Sequence, residues 1–242
     1  MKNYEFAFSK NVHFEIWLQL IEKAYAKVFG CYYNINGGFP SYALRDLTGA
    51  PYERITDFKD LDDLWYKITI GHKKGHIITT SILPSEYGDD VRRDGLINGH
   101  AYCVIDSQEV MDFYGRTQKI VKIRNIWGGY EWKGDWSDDS KLWTDDLKQR
   151  LKLVRLNDGI FWMSIEDLTN NFDEIGISKV YPNYFHNHIE LEIGHNKKNI
   201  VKLFIQKDSH TYVSLNQEDS RFFHGEQGQK YIYSYYRVTI GK

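Results

Sequence analysis

Cysteine is scarce. The 242 residues contain two, Cys31 and Cys103, too few for a disulfide scaffold or a four-cysteine zinc site. Their number suits a reducing compartment. No uncharged apolar run approaches the ~18 residues of a membrane-spanning helix. The opening Met1-Lys2-Asn3-Tyr4-Glu5-Phe6 has no apolar signal core. The expectation is a soluble, cytoplasmic protein without a membrane span. Charge of one sign is also lacking: 31 Lys+Arg against 33 Asp+Glu leave −2 at pH 7. That balance speaks against a general nucleic-acid binder, which shows a basic excess. Repeats and low-complexity tracts are absent, and proline is limited to 4 residues. Aromatics are plentiful instead, at 16%, and 42% hydrophobic residues suffice for a core.

Periodicity outlines the elements. Phe14, Trp17, Leu18, Ile21, Tyr25 and Val28 recur at helical spacing, with Asn11 as a candidate N-cap and Gly30 as a stop. A Gly/Pro loop at Asn36–Pro40 precedes a short amphipathic stretch to Leu47. Asp57–Lys67 reads as a helix with Leu61, Leu64 and Trp65 facing inward, and Ile77–Leu83 as a buried strand. Ala101–Ile105 and Ile120–Arg124 read as strands, with a loop or hairpin between them. A long loop from Ile126 to Trp143 is followed by a helix at Asp145–Leu153, a strand at Phe161–Ser164 and a helix capped by Ser164. Beyond Tyr181-Pro182 the pattern has period two: Ile189, Leu191, Ile193; Val201, Leu203, Ile205; Val213, Leu215; then the aromatic strand Tyr231–Ile240. A sandwich needs about 100 residues, so this tail reads as a partial one.

His100 opens one predicted strand and Asn125 closes another. If those strands are neighbours, the imidazole and the amide meet at one sheet end. In cysteine proteases a His is the base and an Asn amide orients its ring. Trp127, two residues past the amide, can cover that hydrogen bond. A lone His/Asn pair reads more readily as two unconnected polar residues at strand ends. The surrounding strings give the pair its weight.

Those strings resemble the papain superfamily and, within it, the calpains. Trp17–Lys27 is similar to the calpain helix W-x-x-L-L-E-K-A-Y-A-K. Gly37-Gly38 with Asp46-Leu47-Thr48-Gly49 resembles its G-G … D-x-T-G segment. Gly95–Tyr102 resembles G-L-x-x-G-H-A-Y, Ile123–Asp138 resembles I-R-N-P-W-G-x-x-E-W-x-G-x-W-x-D, and Asp158–Ser164 resembles D-G-E-F-W-M-S. The tail, with Val213–Gln217 and Arg221, is more weakly similar to the β-sandwich that follows the calpain core. The resemblance implies an α+β fold: a twisted antiparallel sheet with flanking helices over residues 1–180, then a partial all-β sandwich over 181–242. It further implies His100 and Asn125 as catalytic, Trp127 as their cover, and Gly38 and Gly99 as backbone contacts to an extended protein substrate.

The chain departs from the family at the nucleophile. A calpain core carries its Cys in a Gln-…-Gly-x-Cys-Trp context, which is not found in these residues. Cys31 follows a helix C-terminus, where the dipole disfavours a thiolate. Cys103 lies an odd offset from His100 along one strand, so it faces the other way. The reading is the His/Asn-bearing half of a calcium-dependent cysteine endopeptidase, with the Cys-bearing half as its partner. The alternative is an inactive scaffold or interaction subunit bound to other proteins, or a regulator that keeps calcium loops. By resemblance Ca²⁺ is held by Glu131, Asp138 and Asp158 with the carbonyls of Leu156 and Ile160; without it, these are a solvated acidic loop. His186, His188 and His195 lack a standard zinc spacing and read as surface or edge histidines.

Overall fold

The computed structural model describes residues 8–9, 15–85, 90–191, 199–217 and 221. The chain divides into two compact units, Met1–Tyr42 with Val213–Lys242, and Ala43–Tyr212. In the smaller unit α1 (Trp17–Val28) ends as expected at Gly30, whose φ of 91° suits a residue without a Cβ. Asn11 and Phe14 lie outside the described residues. Of the rest of the expected apolar stripe, Trp17, Leu18, Ile21 and Val28 are exposed and Tyr25 is half-buried, while Ala26 and Phe29 are buried. A 3-10 turn (Tyr32–Ile35) leads to the glycine loop. Then α2 (Pro40–Thr48) opens on a proline, at the turn where a missing N–H costs nothing.

The larger unit is built on a six-stranded sheet. In chain order its strands are β1 (Tyr52–Ile55), β2 (Ile77–Ile82), β3 (His100–Met111), β4 (Thr117–Asn125), β5 (Ile160–Ser164) and β6 (Glu174–Ser178). In space they run β1-β6-β2-β3-β4-β5, each pair antiparallel. Helices α3 (Leu61–Lys73), α4 (Asp145–Arg150) and α5 (Ile165–Asn171) flank it, which makes the fold α+β as expected. Helix α3 starts later than expected because Asp60 is its N-cap, accepting the Asp63 N–H at 2.9 Å. It runs on to Lys73 because Ile68 continues the buried stripe of Leu64 and Trp65. Ser164 caps α5 by accepting the Asp167 N–H at 2.9 Å.

Two apolar clusters form. The larger packs Leu64, Trp65 and Ile68 of α3 and Leu168 of α5 against Tyr102, Val104, Val121, Ile123, Phe161 and Met163 of the sheet. The smaller gathers Val110, Ile120, Trp136, Trp143, Leu147 and Trp162. Strands β4 and β5 serve both by simple alternation, and β3 does so through a bulge. Val104 pairs with Ile123 but Asp106 pairs with Lys122, so Ile105 is an extra residue and the in/out alternation inverts there. Tyr102 and Val104 then join the first cluster and Val110 the second. His72 of α3 pins the bulge: its Nε2–H donates to the Val104 carbonyl at 3.0 Å, and Nδ1 accepts from the Ser107 hydroxyl at 3.0 Å.

The tail differs from the sequence expectation. Residues 182–191 and 199–217 contain no strand among the described residues, and Val201, Leu203, Phe204, Ile205 and Val213 are exposed. Alternation sets which face a strand would bury. The strand itself exists only once a neighbouring edge completes its hydrogen bonds. Ile193, His195 and Tyr231–Ile240 lie outside the described residues.

Candidate active site

Antiparallel pairing of β3 and β4 sets Tyr102 opposite Asn125. The start of β3 and the end of β4 therefore coincide, and His100 meets Asn125. The imidazole Nε2 and the amide Oδ1 are 2.8 Å apart, in a buried site where His100 is 7% exposed and Asn125 0%. The amide cannot be turned round. Its Nδ2 donates both hydrogens, to the Gly129 carbonyl at 2.5 Å and the Tyr130 carbonyl at 3.2 Å, while Oδ1 also accepts the Trp127 N–H at 3.0 Å. With an oxygen facing it, the imidazole must donate through Nε2–H. In the neutral ring the lone pair is then on Nδ1. The network assigns the tautomer as well as the orientation.

The Trp127 indole lies over the imidazole, with ring centroids 4.2 Å apart and planes inclined at 46°. It remains 57% exposed, so it shields the His–Asn hydrogen bond from one side. Beneath, Tyr102 meets the imidazole edge to face at 4.9 Å. Its hydroxyl accepts the buried Ile97 N–H at 2.8 Å, and burial pushes the phenol up to about 12. It thus stays a neutral anchor for the segment leading into Gly99, which turns with φ of 68° just before His100.

The sequence reading missed the part played by Gly159. Its carbonyl accepts the Asn125 N–H at 2.7 Å, and its own N–H donates to Glu131 Oε1 at 2.7 Å. Its φ is 83°, and a Cβ there would lie 2.7 Å from the Asn125 carbonyl oxygen and 3.0 Å from the Gly129 nitrogen. The available signal was the Asp-Gly pair just before the apolar run of β5.

Neither described cysteine is placed as a nucleophile. Cys103 pairs with Arg124 and Thr79 on the strand face opposite His100 and Tyr102. Burial pushes its thiol up, against the pull of Arg124, which is the wrong direction for a thiolate. Cys31 belongs to the smaller unit, at the start of the 3-10 turn, and is exposed. Gly38 also lies in the smaller unit, between that turn and α2. His186 and His188 are exposed.

The acidic residues share one neighbourhood. Burial and then the charge of Glu131 push the Asp138 carboxyl up to about 6, with Asp158 and Asp139 adding to the shift and a Leu156 N–H opposing it. Glu131 is likewise raised, by burial first and also by Asp158. Hard carboxylate oxygens with nearby carbonyls are the right donor chemistry for calcium, and a cation would relieve this repulsion. In this conformation, however, the carboxylates are occupied by backbone N–H groups, with Asp158 accepting the Ile160 N–H at 2.9 Å. The Leu156 carbonyl accepts the Asp158 N–H at 2.9 Å. Among the described residues no three acidic, histidine or cysteine side chains are arranged to hold an ion. The donor set suits calcium by type, and the described residues form no coordination shell.

Asp138 therefore gives a pH-dependent prediction. Its folded pKa lies above its ordinary value, so ionising it opposes folding, and stability falls as pH rises from about 4 through about 6. The Asp138→Asn variant is expected to melt higher than the parent at pH 7.5 and equally at pH 4. Solvent screens this half-buried group, so the gain is of order 1 kcal/mol, or about 2–4 °C. Thermal denaturation at both pH values checks it; an equal shift at both would contradict it.

An oriented imidazole under an indole, at one end of an antiparallel sheet flanked by helices, is the arrangement of a papain-like cysteine protease domain. Comparison with known sequences narrows the class. Residues 1–179 match the profile of the calpain family cysteine protease. Similar relatives include rat calpain-9 (Rattus norvegicus), 35% identical over 175 residues, which are 70% of this chain and 25% of the relative. The catalytic subunit of calpain-1 from Rattus norvegicus is 36% identical over 176 residues, 69% of this chain and 24% of the relative. The calpain-type cysteine protease DEK1 of Arabidopsis thaliana is 38% identical over 187 residues, 73% and 8%. The chain belongs to the calpain family. It spans about a quarter or less of the length of these curated relatives.

Proposed function

We propose that this chain is the His/Asn-bearing half of a calpain-type cysteine endopeptidase, acting on protein substrates when a Cys-bearing half is supplied beyond these residues. His100 is the base, Asn125 holds its ring, Trp127 covers the pair, and Gly38 and Gly99 offer backbone hydrogen bonds to an extended substrate. The observation that carries the reading is the 2.8 Å His100–Asn125 hydrogen bond, with the amide fixed by two carbonyls. In the reaction the thiol proton moves to His100 Nδ1 and the sulfur bonds to the scissile carbonyl carbon. The C–N bond then breaks as the imidazolium gives its proton to the leaving amine. Water next displaces the sulfur, with His100 again accepting the proton. A ring whose other nitrogen is committed to Asn125 performs both transfers through one atom.

The proposal extends to calcium, with Glu131, Asp138 and Asp158 and the carbonyls of Leu156 and Ile160 as ligands. When bound, the cation would neutralise the charge that now raises Asp138. A cytoplasmic setting is part of the same reading.

The test mixes this chain with a Cys-bearing calpain half and calcium and follows cleavage of an unfolded protein. Cleavage that disappears in His100→Ala supports the proposal. Absence of cleavage, or cleavage indifferent to that change, would overturn it. The placement of Cys103 and Cys31 favours, as second reading, a non-catalytic interaction subunit, and that result would leave it standing.

A further inference from the structure

Arg221 follows Gly37 by 184 residues, yet reaches its carbonyl: Nη1 donates to the Gly37 oxygen at 3.5 Å. Both residues belong to the smaller unit. The guanidinium is seated on α1 and the residue that ends it. Its carbon lies 4.4 Å from the Phe29 ring centroid and 5.9 Å from that of Tyr25. Nη2 donates to the Tyr25 hydroxyl at 3.4 Å, and the two rings meet edge to face at 4.8 Å. Two aromatic rings thus hold a planar cation whose Nη1 reaches the glycine loop at the Gly37 carbonyl.

The two glycines of that loop differ. A Cβ at Gly37 would meet nothing within 4 Å among the described residues. A Cβ at Gly38, where φ is 155°, would come 3.1 Å from Nη1 and 3.5 Å from Cζ of Arg221. The guanidinium packs closely on Gly38, and a side chain there would push it by a few tenths of an ångström. Gly38 is the residue that the proposed function assigns to the substrate backbone. A loop that pairs with an extended peptide must have its own main chain fixed beforehand, since ordering it on binding weakens affinity. With glycine at two consecutive positions the chain supplies no rigidity of its own.

We infer that Arg221 is a positioning residue that clamps Gly37–Gly38 in the course required by an extended substrate. The inference rests on the proposed role of Gly38. Arginine stays protonated at every working pH, so the clamp does not titrate. Lysine at this position would keep the charge and lose the flat face and the fork.

Backbone 15N relaxation on the full chain reads the clamp without any activity. Arg221→Ala and Arg221→Lys are expected to lower the order parameters at residues 37–39 to below about 0.6, with β3 and β4 amides unchanged near about 0.85. With the Cys-bearing half added, both variants are expected to raise KM about 3- to 10-fold and hold kcat within about twofold. Unchanged order parameters at 37–39 overturn the inference. So do lowered order parameters with an unchanged KM, which would make Arg221 merely structural. A parent mixture that cleaves nothing removes the proposed function and the substrate role with it, while the relaxation data still decide whether Arg221 holds the loop.

Discussion

Asn125→Ala is expected to lower kcat of the assembled peptidase by roughly two to four orders of magnitude, with KM little changed. Loss of Oδ1 removes the acceptor that keeps the His100 proton on Nε2, so the lone pair is no longer confined to Nδ1. Loss of Nδ2 leaves the Gly129 and Tyr130 carbonyls without this donor, and the Trp127 N–H also loses its acceptor. Net hydrogen bonds of about 1 kcal/mol each make a stability loss of ~2–4 kcal/mol the companion effect. Asn125→Asp separates the two consequences. The carboxylate still accepts from His100 and Trp127, but it brings negative charge against two carbonyl oxygens. It should recover part of the kcat at equal or greater cost in stability. Steady-state kinetics beside urea denaturation check both, and an alanine variant of near-parental kcat would remove His100 orientation from the mechanism.

The second large effect is expected at Gly159. Gly159→Ala brings a methyl to 2.7 Å from the Asn125 carbonyl and 3.0 Å from the Gly129 nitrogen, both backbone atoms, at a φ of 83°. Strain at such a φ costs ~1–3 kcal/mol and the displaced backbone adds to it, so a total of ~3–5 kcal/mol is expected. At about 2–4 °C per kcal/mol for a domain of this size, the melting temperature falls by roughly 6–20 °C. The same residue hydrogen-bonds Asn125 and Glu131. The indole fluorescence of Trp127 and the pH dependence from Asp138 should therefore change along with stability. A variant that melts within about 2 °C of the parent would show that the loop relaxes.

How much of this was legible in the sequence varied by kind of contact. His100 and Asn125 could be placed because each sits where a period-two run starts or stops, and antiparallel pairing brings such ends together. The carbonyls of Gly129 and Tyr130 could not be found, since every residue has one and only the turn selects these two. That Glu131, Asp138 and Asp158 belong together was implied by the family resemblance and not by their spacing; their engagement by backbone N–H groups could be read from neither. Strand β6 is buried along its whole length and β1 is four residues long, so neither alternates visibly. Strand β3 was read only as far as Ile105 because alternation breaks at the bulge. The tail shows the converse: it alternates, yet its described residues form no strand.

The bulge at Ile105 also separates two kinds of sequence change. It acts as a frameshift within β3, and His72 secures it from the helix above. Past that point the strand keeps its own phase. Residues gained or lost in pairs toward the hairpin tip would alter the tryptophan-lined end and leave the imidazole aimed as before. Loss of one residue between Asp106 and Val110 would instead turn Val110 toward the face that His100 occupies, whereas loss of Ile105 itself would leave a regular ladder with Val104 against Ile123 and Val110 against Gln118 as now. The exposed isoleucine bends the strand between its two ends without deciding which face either end buries.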